Sequence, residues 1–429
     1  MKNTTPLSFG EKIKQIRIAK GLKQEDLAKV INTAQNFVSR LESGEAKYDD
    51  RMLEIIREFY NIKNAPIFDH ELDDYKNRVW VCNDLITANN MHEARVIQDT
   101  LSPILELPFE HDLTLLYLMI EARILFKENN LAAGEERLKT AEALLDGASM
   151  EALHLYHRNK GFLLMRKGEF KTSLKHYLQS LDNETSIVNS DMSILLSIGI
   201  VCLSLSKPWN AVLYLEKAKM KYNLGRTNVL GAILNSRLAS CYMLVGEYDK
   251  AESIYNDALA QAKSINASDS IGIALTWLAT LYKQTDNIAK SLEASNQALT
   301  FLKDDSHCAD VLMNKALCLI EMKDFAQCRE VIMQGKELAK NNQRQATLFE
   351  VISHLLTLDN SESTDYLENY AIPYYRTDDS VEAGKLQALE FCNMLEAHYR
   401  KKRNKKKAND IAIVGRDIYK EIYFGALEL

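Results

Sequence analysis

Between positions 239 and 258 the chain sets small residues at Ala239, Ala251 and Ala258 and aromatic ones at Tyr242, Tyr248 and Tyr255, with Gly246 between the two halves. Two antiparallel helices separated by that glycine can approach closely, because each small side chain leaves room for a bulky one opposite. The register recurs. Gly161, Leu164, Gly168, Phe170, Ser173 and Tyr177 follow it, as do Gly199, Pro208, Ala211, Leu215 and Ala218. Weaker copies start at Ala122, Ala279 and Ala316, so six units are readable, with starts roughly 37 to 40 residues apart. A period of that size marks stacked helical pairs rather than one closed core, and spacing beyond the usual ~34 predicts extended second helices.

Composition agrees with an all-α chain. Only 16 Gly and 6 Pro occur in 429 residues, too few turn formers for a many-stranded sandwich, barrel or propeller. Seven scattered Cys without a CxxC pair predict reduced thiols, with neither a disulfide framework nor a metal site. No uninterrupted apolar run reaches about 18 residues and the N-terminus lacks an apolar signal core, so the expectation is a cytoplasmic protein with no membrane partner. There is no P-loop, GxSxG or HExxH, and the nine His are dispersed. Neither catalysis nor a cofactor is expected.

The net charge of -6 conceals an asymmetry: residues 1–68 hold 12 basic against 9 acidic side chains, and the remainder holds 41 against 50. Within the basic part, Phe9, Ile13 and Ile16 stripe a first helix that stops at Gly21. A second helix follows from Gln24 to Ile31, and Asn32-Thr33 is the break. Thr33 is placed to cap a third helix, Ala34 to Glu42, with Val38 and Leu41 inward and Gln35, Asn36, Ser39 and Arg40 outward. Two short helices with amides and Arg on the second make a helix-turn-helix. Gln and Asn amides match the adenine edge and Arg the guanine edge, while Lys and helix N-termini hold phosphates.

The run Leu22-Lys23-Gln24-Glu25-Asp26-Leu27-Ala28, with Val38-Ser39-Arg40-Leu41-Glu42-Ser43-Gly44, resembles the Xre/Cro phage-repressor helix-turn-helix over roughly residues 8 to 68. That resemblance implies a double-stranded DNA operator. Gln35, Asn36, Ser39 and Arg40 are assigned to the major groove, Lys23 and Gln24 to the DNA backbone, with Thr33 beside them. Asn32 stands where the family has Gly, and Phe37 where it often has a polar residue; the latter is open between core and DNA. One module buries little surface, so a dimer or higher homo-oligomer on an inverted repeat is expected.

The repeated register resembles the tetratricopeptide repeat. The implied fold is an N-terminal helix-turn-helix domain followed by a right-handed tetratricopeptide superhelix whose first helices line a concave wall. The expected divisions are 1–68 for the DNA-binding domain, 69–110 for a linker and degenerate helical pair, 111–342 for repeats, and 343–429 for degenerate repeats and cap. In the repeat register Arg123, Arg158, Asn159, Arg237, Trp277 and Asn314 are assigned to a bound peptide, since Asn satisfies a peptide unit and Arg takes a carboxylate. The basic run Arg400 to Lys407 is expected to be a solvated turn between helices.

Together the two parts resemble the peptide-pheromone receptors of Gram-positive bacteria, the group of Rgg, NprR, PlcR, PrgX and Rap proteins, with length and repeat number nearest NprR. The group implies a quorum-sensing transcription regulator controlled by a short signalling peptide. The alternative is a Rap-like interaction protein whose repeats bind and inhibit a phosphorelay or regulator protein.

Overall fold

A computed structural model describes residues 7–63, 65–183, 192–205, 207–221, 229–340, 342–377 and 384–423, and among them the regular structure is helical. The chain divides into two compact units, residues 1–167 with 175–189 and residues 168–174 with 190–429.

The first unit opens with four short helices, α1 (Phe9–Ala19), α2 (Gln24–Val30), α3 (Gln35–Glu42) and α4 (Asp50–Phe59). Ser8 caps α1 in a reciprocal capping box with Glu11, and Asp49 caps α4 through the Met52 amide at 2.7 Å. Asn32 takes φ 49° in the turn between α2 and α3, so the amide side chain supplies the left-handed backbone that Gly usually does. The apolar faces meet in a core of Ile13, Ile16, Leu27, Val38, Leu41 and Ile56, all at most 1% exposed. Phe37 is half-buried and packs against that core.

The helical pairs begin without a break. The acidic stretch expected to start a linker is the first turn of α5 (Asp69–Thr87), which pairs with α6 (Met91–Leu101). The buried Lys12 ammonium donates to the Ile67 carbonyl at 2.6 Å, and Arg57 meets Glu71 at 2.5 Å. Lys20 forms an ion pair with Glu106. One continuous apolar core therefore runs from Ile13 through Tyr75 and Ile104 to Leu163. In the same unit α7 (His111–Lys127) pairs with α8 (Leu131–Glu142) and α9 (Met150–Arg166) follows, while α10 (Phe170–Asp182) has residues 170–174 in the second unit and the rest in the first.

The second unit continues the scheme with α11 (Met192–Ser204), α12 (Pro208–Lys221), α13 (Val229–Leu244), α14 (Tyr248–Ser264), α15 (Ser268–Gln284), α16 (Ile288–Phe301), α17 (Asp305–Glu321) and α18 (Phe325–Leu338). Consecutive helices pair, and the first helices α11, α13, α15 and α17 also touch in sequence. Ala239, Ala251 and Tyr255 are fully buried, as the register requires, while Tyr248 lies 39% exposed. Gly335 shows how tight the approach is: a Cβ there would sit 2.0 Å from the Phe349 ring. The extra repeat length lies elsewhere than expected. First helices α7, α9, α15 and α17 have 17 residues each, whereas among second helices α8, α12, α16 and α18 have 12 to 14 and α14 has 17. A first helix touches its own partner and the first helices beside it, so added turns there bury surface on several sides. Helices α19 (Gln343–Leu355), α20 (Ser361–Tyr366), α21 (Ile372–Thr377), α22 (Gly384–Lys401) and α23 (Lys405–Tyr423) close the chain, with a π turn at Leu367–Ala371.

Between α9 and α10 the imidazoles of His157 and His176 meet Nδ1 to Nδ1 at 3.0 Å. Burial, then the neighbouring His157 and the nearby Lys160 and Lys175, push His176 down to about 4, and burial lowers His157. An unfolded chain takes up these protons first, at its ordinary value of about 6.5. Stability from the pair is therefore fully present above pH 6.5 and lost as pH falls toward 4. Thermal melts of wild type and His176→Phe across that window are expected to diverge, with the variant showing the shallower fall.

Candidate functional site

The side chains Gln35, Asn36, Ser39 and Arg40 share the exposed face of α3, and no neighbour among the described residues holds any of them. Ala34 precedes the helix and offers no side-chain cap, so the amides of Gln35 and Asn36 are open to an anion. Thr33 does not cap. The helix starts one residue later than expected, which sets Thr33 outside it, half-buried, its amide donating to the Ala28 carbonyl at 2.9 Å. Lys23 stays exposed at the head of α2 and can reach a phosphate.

What orients α3 is a buried ion pair. Arg17 Nε and Nη2 donate to the two Glu42 oxygens at 2.6 and 2.9 Å, and Arg17 Nη1 donates to the Leu22 carbonyl at 2.7 Å. Glu42 is 3% exposed. Its hydrogen bonds hold the Arg17 guanidinium above its ordinary pKa. The Gln24 amide also donates to Glu42, at 2.9 Å, so the side chain expected on the DNA backbone is turned to this pair instead. The network joins α1, α2 and α3. Gly10 reinforces it: a Cβ there would lie 2.0 Å from the Leu41 carbonyl oxygen, so α1 and α3 cross in backbone contact.

The residues assigned to a peptide are placed differently from one another. In the first unit Arg123 is 7% exposed; it donates to the Asn83 carbonyl at 3.0 Å and Thr87 Oγ1 at 2.7 Å, and also contacts the Asn83 side chain. Arg158, 8% exposed, reaches the same Asn83 amide oxygen at 3.2 Å. Asn159, 3% exposed, donates to the Met119 carbonyl at 2.7 Å. In the second unit Asn314 is 6% exposed and donates to Ser291 Oγ at 3.1 Å and Ser295 Oγ at 3.4 Å.

These four side chains are struts between helices rather than free groups on an open wall. A buried polar group needs a partner, and each takes one from an adjacent helix. Arg237 and Trp277 are half-buried, and Trp277 stacks on Tyr255 with ring planes 4° apart. Lys127, one turn beyond Arg123, is exposed; burial of its stem and the charges of Arg123 and Arg158 lower its pKa.

A helix-turn-helix family model matches residues 13–63, and tetratricopeptide repeat models match residues 230–304 and 309–342. The chain is a helix-turn-helix protein with tetratricopeptide repeats. No curated protein matches it by sequence. Among solved structures, it resembles the apo form of the quorum sensor NprR from B. thuringiensis, at 17% identity and TM-score 0.66 over 81% of this chain and 99% of that one. NprR in complex with its cognate peptide NprX matches at 17% and 0.63, over 81% and 99%. A Rap protein complexed with competence and sporulation factor matches at 13% and 0.66, over 82% and 98%. At 13–17% identity the likeness to these structures is one of fold.

The Arg17–Glu42–Gln24 network was not anticipated from the sequence, although a charge beside Ile16 on one helix and beside Leu41 on another, both at inward positions, was the available sign. Glu42→Ala leaves Arg17 buried without its carboxylate and is expected to cost about 3–5 kcal/mol of unfolding free energy. Gln35→Ala, on the exposed face, should change it by less than about 0.5 kcal/mol. Urea titrations of the two variants check both values.

Proposed function

We propose that this protein is a cytoplasmic transcription regulator that reads an operator through α3 and is controlled by a short signalling peptide bound in its repeat region. The reading rests on one observation above all: four unheld polar side chains, Gln35, Asn36, Ser39 and Arg40, share a face whose orientation is set by the buried Arg17–Glu42 pair. That is the equipment of a base reader. Its covalent companion, a tetratricopeptide array like those solved with peptides in NprR and a Rap protein, supports peptide control.

The reader works as half of a homodimer on an inverted repeat, since one short helix touches few bases. Gln and Asn take adenine edges, Arg40 a guanine edge, and Lys23 with the open α3 amides takes phosphates. The peptide acts by preferring one arrangement of the regulator over another; a tenfold change in operator Kd needs about 1.4 kcal/mol of such preference. Among the assigned residues, Trp277 keeps a half-open side chain for a ligand.

In mobility shifts on the native operator, Gln35→Ala with Arg40→Ala should lose at least about tenfold in affinity, because each bidentate base contact carries roughly 1–3 kcal/mol of discrimination. Binding to mixed-sequence DNA should persist. Equal operator affinity for variant and wild type would sink the assignment of α3.

For the array, a short synthetic peptide found to bind wild type in calorimetry should bind Trp277→Ala at least about tenfold more weakly, as loss of an aromatic anchor does. Asn314→Ala should instead lower stability by about 1–3 kcal/mol through its lost hydrogen bonds. Full peptide affinity in Trp277→Ala would remove that residue from the site.

A further inference from the structure

The turn joining α22 to α23 carries seven basic side chains in eight, Arg400 to Lys407 with Asn404 as the exception, and all are exposed. Three have acidic partners: Arg400 meets Glu396 at 2.6 Å, Lys402 meets Asp359 at 2.7 Å and Lys407 meets Glu368 at 3.1 Å. Lys401, Arg403, Lys405 and Lys406 have no carboxylate partner among the described residues.

Helix polarity sharpens the excess. The first turn of α23 holds Lys405, Lys406 and Lys407 and no acidic residue, although a helix N-terminus already carries partial positive charge and favours acids. Lys407 is held by Glu368 and the Tyr399 hydroxyl, but no contact among the described residues calls for lysine at 405 or 406. Three of the seven charges are offset by the carboxylates just named, and the repulsion among Lys401, Arg403, Lys405 and Lys406 is left for a bound anion to offset.

The shape and chemistry of the turn narrow the anion. Arg400, Arg403, Lys405 and Asn409 line an open concavity of about 430 Å³, with no apolar residue to receive a peptide side chain. Flexible ammonium groups and a guanidinium suit repeated phosphates, which they meet as point charges without reading sequence. Apart from these seven side chains, residues 69–429 hold 34 basic against 50 acidic ones, a body that a nucleic-acid duplex repels. Residues 1–68 exceed neutrality by three charges.

We propose that the α22–α23 turn is a second, sequence-independent contact for the phosphate backbone of duplex DNA, separate from the face of α3. Its choice of partner rests on the DNA-binding reading above, but not on which α3 residues read bases.

The test is the salt dependence of binding to a mixed-sequence duplex by the full-length chain, for wild type and for Lys401→Gln/Arg403→Gln/Lys405→Gln/Lys406→Gln. Each phosphate contact contributes about 0.9 to the slope of log K against log salt. The variant is expected to show a slope smaller by about 2 to 4, with unchanged helix content, thermal midpoint and sedimentation coefficient. An unchanged slope overturns the proposal. So does a reduced slope accompanied by loss of self-association in sedimentation, since the turn would then be holding a second copy's acidic surface. A wild-type chain that fails to bind duplex at low salt removes the DNA reading itself, whereas a wild type that binds with the variant's slope removes the turn alone. Gln35→Ala/Arg40→Ala, run beside them, should keep the wild-type slope on this duplex.

Discussion

A polar side chain taken out of water is costly without a partner, and several in the repeats find one on a neighbouring helix. Arg123 of α7 reaches back to Asn83 and Thr87 of α5, Asn159 of α9 to the Met119 carbonyl of α7, and Gln345 of α19 to the Ser306 carbonyl and Asp310 of α17. Apolar packing tolerates some sliding of one helix over another, whereas a buried hydrogen bond defines one offset. The spacing between first helices is therefore held at particular residues, and the small-against-large pairs such as Gly335 and Phe349 fill the space that results.

The same constraint explains why the peptide assignments divided as they did. A repeat register tells which face of a first helix a residue occupies. It does not tell how near the preceding first helix lies, and that distance decides whether an Asn or Arg faces solvent or a carbonyl. Asn159 and Asn314 sit on the side that the register indicates and are closed off by helices packed beside them. Trp277 and Arg237 occupy comparable positions and remain half-open. Periodicity carries no information that separates these cases.

The helix-turn-helix was more legible because its logic is local. Gly21 and Gly44 end helices with φ of 67° and 79°, Asn32 makes the turn, and four polar residues fall outside α3 because Val38 and Leu41 must fall inside. What escaped notice depends on tertiary contact. Gln24 turns to Glu42 only because Arg17 has already drawn Glu42 into the core, and Thr33 loses its capping position to a helix that starts one residue late. The acidic stretch from Asp69 has the composition of a linker and becomes helix because Glu71 accepts the Ile67 and Phe68 amides while Arg57 neutralises it.

That last junction bears on how the four-helix module is held. Lys12 is pinned to the Ile67 carbonyl, Arg57 to Glu71 and Lys20 to Glu106, so no slack chain separates the four-helix module from α5. A module on a tether searches for its half-site by swinging, and it forgives an operator whose halves are a base pair too far apart. A bolted one inherits its bearing from α5. If the proposed dimer reads an inverted repeat, the permitted spacer is written into the protein, and a spacer altered by half a helical turn would place the second half-site on the wrong side of the duplex.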